Sequence, residues 1–218
     1  MAEEVLMRDP IRPRRTDPSS IFAPADGIIL HNKIVAPNEP IEAKGVHTTV
    51  ANLFDGRPPI APCYLVCGIF MTYYDVHVNK APVAGLFSSR ELGAIKTGNL
   101  PMVFAEDALM KNLFGKALSL NNYQKYNART IYKFCMPYKN RDVYVIALAD
   151  SEVNVIAPFT TRRNAWMSQN ERFGLVRWGS QIELVVPGVS FDEAGVLPVI
   201  QDRFHVEGGV DIVARWLQ

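Results

Sequence analysis

The fold turns on Ile182-Glu183-Leu184-Val185-Val186, a run that follows Gly179-Ser180 and stops at Pro187. Ile182, Leu184 and Val186 alternate with Glu183 and Val185, which is the two-residue period of a half-buried strand. Working outward, short runs rich in Val, Ile and aromatic residues recur at 27–30, 63–70, 143–149, 153–156 and 175–178. Each is bounded by turn residues and predicts a strand. Fifteen prolines and fourteen glycines spread along the chain favour many short elements over long helices. Two helices are expected, a short one at 47–53 and a longer one at 104–118. The longer one places Ala105, Leu109, Leu113 and Ala117 four apart and is interrupted by Gly115. The expected class is α+β and β-dominated: mostly antiparallel strands, a few short helices and a sandwich- or barrel-like core. One domain over 1–218 is expected, with the Pro/Arg-rich first twenty residues forming an extended arm on its body.

Composition narrows the function. The chain has 218 residues, 48% hydrophobic and 21% charged, which is ordinary globular composition and long enough to bury a core without staples. Lys plus Arg is 23 against 22 for Asp plus Glu, so the net charge of +1 gives no basic face for nucleic acid. No apolar run reaches membrane-spanning length, and the N-terminus lacks the basic-then-apolar order of a secretory signal. A cytoplasmic location is the expectation. Cys63, Cys67 and Cys135 make no disulfide framework, and a C-x3-C pair without nearby histidines is no zinc site, so no metal is expected. Neither a G-x-G-x-x-G after a strand nor a P-loop occurs, so nucleotide cofactors lack support.

Three segments carry residues suited to chemistry. Ala23-Pro24-Ala25-Asp26-Gly27-Ile28 is a turn signature, in which Asp supports the turn and Gly takes positive φ. In the segment from Phe70 to Pro82, Asp75 and His77 lie two apart and would share a face with Asn79 on a strand. Histidine, with a reference pKa of ~6.5, moves protons near neutrality. In the segment from Asn170 to Gln181, two strand-like stretches meet at Gly179-Ser180. Taken singly these are a turn, a structural histidine and a hairpin or bulge. Together they supply Asp, His and Ser, an order open to a serine hydrolase. However, Ser180 lacks the G-x-S-x-G elbow of the α/β-hydrolases.

The motifs in sequence are more specific than any one of them. Met7-Arg8-Asp9-Pro10-Ile11-Arg12 resembles an R-D-P-x-R segment, and Ala23 to Gly27 resembles S-P-A-D-G with Ala23 for Ser. The segment 41–48 resembles K-G-x-x-Y/T-S/T, and 70–85 resembles F-x-x-x-D-V-H-V-N-R-x-P-V-x-G. Asn127-Ala128-Arg129 resembles N-E-R with Ala128 for Glu, and 171–187 resembles E-R-F-G-x-I-x-F-G-S…P with Trp178 for Phe. Across about residues 7–187 the chain therefore resembles the short-form, pyruvoyl-dependent phosphatidylserine decarboxylases.

That resemblance implies a proenzyme that cleaves itself between Gly179 and Ser180 into a β chain, 1–179, and an α chain, 180–218. Ser180 would become a covalent pyruvoyl group, the cofactor that serves as electron sink when phosphatidylserine loses CO2 to give phosphatidylethanolamine. Asp26 and Ser180 match the self-processing pair, and His77 matches the histidine assigned to proton transfer. Asp75, Asn79 and Lys80 are expected to support them. Some broader relatives carry a second His at the position of Lys80 as the base for Ser180. Here either His77 does both tasks, or Lys80 is desolvated, or Asp26 acts on Ser180 more directly. Peripheral membrane contact and a homodimer are also expected, although the N-terminal apolar helices that hold many short-form relatives to a membrane are not seen in this sequence. Alternatives are a pyruvoyl decarboxylase of a soluble amino acid or seryl conjugate, a non-cleaving binding homologue, or a serine hydrolase. Residues 188–218 are expected to be a packing element, with a lid or dimer contact as the functional alternative.

Overall fold

A computed structural model describes residues 8–13, 15–43, 46–95, 123–150, 156–160, 164–177, 180–188 and 195–217. In chain order its strands are β1 (Ser20–Phe22), β2 (Gly27–Val35), β3 (Ile41–Ala43), β4 (Val46–Thr48), β5 (Tyr64–Met71), β6 (Val78–Lys80), β7 (Gly85–Leu92) and β8 (Arg129–Met136). They continue with β9 (Arg141–Leu148), β10 (Ile156–Pro158), β11 (Ala165–Met167), β12 (Arg172–Val176), β13 (Ser180–Pro187), β14 (Val196–Pro198), β15 (His205–Val206) and β16 (Ile212–Trp216). Eight of them form one sheet in the order β11-β7-β8-β9-β13-β5-β2-β15. Two three-stranded sheets, β1-β16-β14 and β10-β12-β6, and the hairpin β3-β4 complete the described strands. Every pairing is antiparallel. The β-dominated α+β class therefore holds. The packing is layered, and among the described residues the large sheet does not close into a barrel, since β11 and β15 stand at its edges.

Alternation along the central strands builds two cores. Leu65, Cys67, Ile69 and Met71 of β5 pack on one side with Ile182, Leu184 and Val186 of β13 and with Val143, Val145 and Ala147 of β9. Tyr64, Val66, Val185, Ile146 and Leu148 face the other side, where Val50, Leu53 and Tyr123 cover them. Each such aliphatic side chain contributes about 1.5–3 kcal/mol on full burial. This second layer corrects the half-buried expectation for 182–186: Glu183 is fully buried. Its carboxylate is taken up by His31 Nε2 at 2.9 Å and by the Gln181 side-chain amide, whose oxygen in turn accepts from Tyr123. Gly68 makes room for this, because a Cβ there would lie 2.4 Å from His31 Cε1.

The short helix spans Val50–Leu53 and not 47–53. Thr49 caps it by accepting from Asn52 N at 3.3 Å, and His47 belongs instead to β4. The helix expected at 104–118 and residues 153–155 of an expected strand lie outside the described residues. Residues 8–13 and 15–19 run over the body without regular structure and are tied down by Asp9, Arg12 and Asp17. Residues 195–217 pack as β14–β16, with Val213, Ala214 and Trp216 in the core. No helix among the described residues is long and apolar enough to cross a membrane.

Candidate active site

Ser180 is the first residue of β13, and its cross-strand partner on β5 is Met71. Gly179 and Trp178 lie outside the described residues. Met71 ends β5, and the chain then turns through Thr72, Tyr73, Tyr74 and Asp75 before reaching His77 and β6. This turn brings the imidazole back to the strand end that faces position 180. His77 is fully buried, with Nδ1 2.8 Å from the Val176 carbonyl and Nε2 3.1 Å from the Thr72 carbonyl. Carbonyls only accept, so both contacts become hydrogen bonds only when both ring nitrogens carry hydrogen. Burial opposes that charge and holds the ring below its ordinary pKa, while the two carbonyls and the nearby Asp75 and Asp26 pull the other way. The shorter contact assigns the neutral ring's hydrogen to Nδ1. Nε2 is then the nitrogen without hydrogen in the neutral ring.

Asp26 sits in the bend before β2 and is buried. Both carboxylate oxygens accept from Arg12, each at 2.6 Å, in a bidentate pair. Gly208 N donates to Oδ1 at 2.8 Å, and Val76 N approaches Oδ2 at 3.4 Å. Asp26 thus meets the 72–77 turn through Val76, next to His77. Gly27 permits the bend: its φ is +148°, and a Cβ would fall 2.2 Å from the Phe70 carbonyl oxygen.

The expected common face of Asp75, His77 and Asn79 is not formed, because Asp75 lies in the turn and His77 precedes the strand. Asp75 accepts from the backbone N and hydroxyl of Thr72, both at 2.8 Å, and contacts His205 Nε2 at 2.7 Å. Asn79 is buried on β6, and its Nδ2 points at Met71 Sδ, 3.9 Å away. A thioether only accepts, so the amide's NH2 side faces it. The amide oxygen Oδ1 has no hydrogen-bond partner among the described residues. Lys80 turns away: its ammonium is 2.8 Å from Asp9, which Arg172 also contacts at 2.6 Å. Asp26, His77 and Asn79 are therefore gathered around the ends of β5 and β13, and Lys80 is not.

Arg12, on Asp26, and His205, on Asp75, touch this cluster, and the sequence alone does not assign them to it. Arg12 stands inside the quoted R-D-P-x-R segment, which was the signal available for it. His205 sits in a segment without a motif, and only its being one of four histidines marked it.

A family model described as phosphatidylserine decarboxylase matches residues 6–213. Phosphatidylserine decarboxylase proenzymes are among the relatives. That of Thermobifida fusca is 29% identical over 77% of this chain and 61% of its own length. Those of Streptomyces coelicolor, at 28% over 75% and 60%, and Ehrlichia canis, at 30% over 84% and 64%, are similar. The chain spans about three-fifths of the length of these relatives. The match over nearly all of the chain, with the motif residues gathered at one strand end, places it plainly: this chain belongs to the phosphatidylserine decarboxylase family.

Proposed function

We propose that the chain is a self-cleaving proenzyme whose mature form decarboxylates phosphatidylserine to phosphatidylethanolamine and CO2. The observation that carries this reading is the meeting of β13 and β5. Position 180 opens one strand opposite Met71, and the next residue, Thr72, presents its carbonyl to a buried His77. In the cleavage, Ser180 Oγ attacks the Gly179 carbonyl and converts the amide into an ester. β-Elimination releases the Gly179 carboxylate and leaves dehydroalanine, and hydrolysis gives ammonia and a pyruvoyl group at residue 180.

The surroundings suit a polar group at that position. A buried amide oxygen left without a donor costs about 1–3 kcal/mol. Asn79 keeps one beside Met71, where an incoming N–H would satisfy it. The pyruvoyl carbonyl supplies the electron sink that decarboxylation of an amino acid requires. His77 holds and delivers a proton at Nε2, with Val176 fixing the opposite side of the ring. Asp26 orients the segment before His77 through Val76, its charge balanced by Arg12. The commitment of the Lys80 ammonium to Asp9 argues against Lys80 as the base for Ser180. Exposed Tyr73 and Tyr74 on the turn, with Phe204 exposed beside His205, favour a lipid surface over a soluble amino acid.

Intact mass tests the first half. The wild-type chain is expected as two fragments broken after Gly179, and Ser180→Ala as one uncleaved chain. Two-fragment maturation of Ser180→Ala would overturn the mechanism. Release of CO2 from phosphatidylserine vesicles, and not from free serine, tests the substrate.

A further inference from the structure

His205 lies on β15, at the edge of the large sheet, with its side chain 51% exposed. Its Nε2 is 2.7 Å from Asp75 Oδ1, whereas Asp75 is buried. An ionised carboxylate only accepts, so Nε2 carries the hydrogen in this contact. The other oxygen of Asp75 holds the backbone and hydroxyl of Thr72, and the Thr72 carbonyl meets His77 Nε2. A continuous series of contacts, His205–Asp75–Thr72–His77, therefore links a solvent-facing imidazole to the buried one. In the turn it crosses, Thr72, Asp75, Val76 and His77 are buried, whereas Tyr73 and Tyr74 point outward, so His205 ties the buried part of the turn to the sheet edge. The turn's approach to Asp26 through Val76 is long, at 3.4 Å.

We propose that His205 is a positioning residue for His77. Through Asp75 it locks the 72–77 turn to the sheet edge and so sets the Thr72 carbonyl that faces His77 Nε2 and accepts its hydrogen when the ring is charged. Its effect on turnover rests on the proton-transfer reading of His77 above; its effect on geometry does not. Misplacing a reacting group by about 1 Å is worth on the order of 10²-fold in rate.

Two variants and two readouts test this. His205→Gln keeps an N–H where Nε2 stands, and His205→Ala removes it. In the Ser180→Ala chain, which holds a single covalent form, His205→Ala should shift the NMR resonances of the His77 imidazole, and His205→Gln should leave them in place. In the otherwise native chain, His205→Ala should lower kcat on phosphatidylserine vesicles by about 10- to 100-fold with KM unchanged, and His205→Gln should restore it. Unmoved His77 resonances in His205→Ala overturn the proposal whether or not the chain is active. So does a His205→Gln enzyme as slow as His205→Ala, because the imidazole itself would then be required. A wild-type chain that neither cleaves nor decarboxylates sinks the functional reading alone, and the resonances then decide the positioning role.

Discussion

His77 has two carbonyl neighbours and room for only one hydrogen while it is neutral. That conflict suits a group that must gain a proton and lose it again, and it separates turnover from maturation. His77→Ala should still break after Gly179, because Ser180 and Asp26 remain. It should turn phosphatidylserine over ~10²–10⁴-fold more slowly, the usual contribution of a general acid–base group. Mass spectrometry of the fragments and CO2 release read the two steps independently. An uncleaved His77→Ala chain would move its role to the activation of Ser180. The histidine was legible in the sequence because D-V-H-V-N lies in a quoted motif. Its partners were not: both are backbone carbonyls, and one comes from Val176, 99 residues along the chain. Two-residue spacing implies that Asp75 and His77 share a face on a strand. The chain turns there instead, and Asp75 reaches His205.

At the scale of elements, the strands with dense aliphatic character declared themselves. β5, β9 and β13 are buried on both faces, and their Val, Ile and Leu runs carry the signal. β8 did not, because Arg129, Thr130 and Lys133 interrupt its apolar positions. The guanidinium of Arg129 is nonetheless buried, donating to the carbonyls of Gln124 and Lys125. The bend before β2 was legible for a local reason, since Asp26-Gly27 demands a glycine conformation whatever surrounds it. It also has a tertiary reason that the sequence hides, the passage of the Phe70 carbonyl beneath Gly27. Gly27→Ala meets both obstacles. It should destabilise the fold by about 1–3 kcal/mol from the backbone strain alone, and displace Asp26 from Gly208. A urea midpoint equal to wild type would show that the bend relaxes freely.

Over the whole molecule, the N-terminal segment joins pieces distant in sequence. Asp9 meets Lys80 and Arg172, Arg12 meets Asp26, and the backbone N of Asp17 meets Gln169. The carboxylates of Asp9 and Asp17 add a sensitivity to acid. Hydrogen bonds from the Ser19 hydroxyl, the Ser20 hydroxyl and the Ser19 backbone hold Asp17 down at about 2. Burial pushes Asp9 upward, but Lys80 and Arg172 outweigh it and hold Asp9 below its ordinary value. An unfolded aspartate titrates near ~3.9. A depressed folded pKa stabilises the native state above that value, and the benefit is lost as pH falls through the folded one. Both groups are therefore fully stabilising above about pH 4, and the contribution of Asp17 disappears between about pH 4 and pH 2. The wild-type urea midpoint should fall across that window, and Asp17→Asn should lack part of the fall while being less stable at neutral pH. An Asp17→Asn profile parallel to wild type down to pH 2 would mean that this carboxylate does not anchor the segment through Ser19 and Ser20. If the anchor does hold, Arg12 should leave Asp26 as the segment lifts, so cleavage of freshly made chain should fail in the same window.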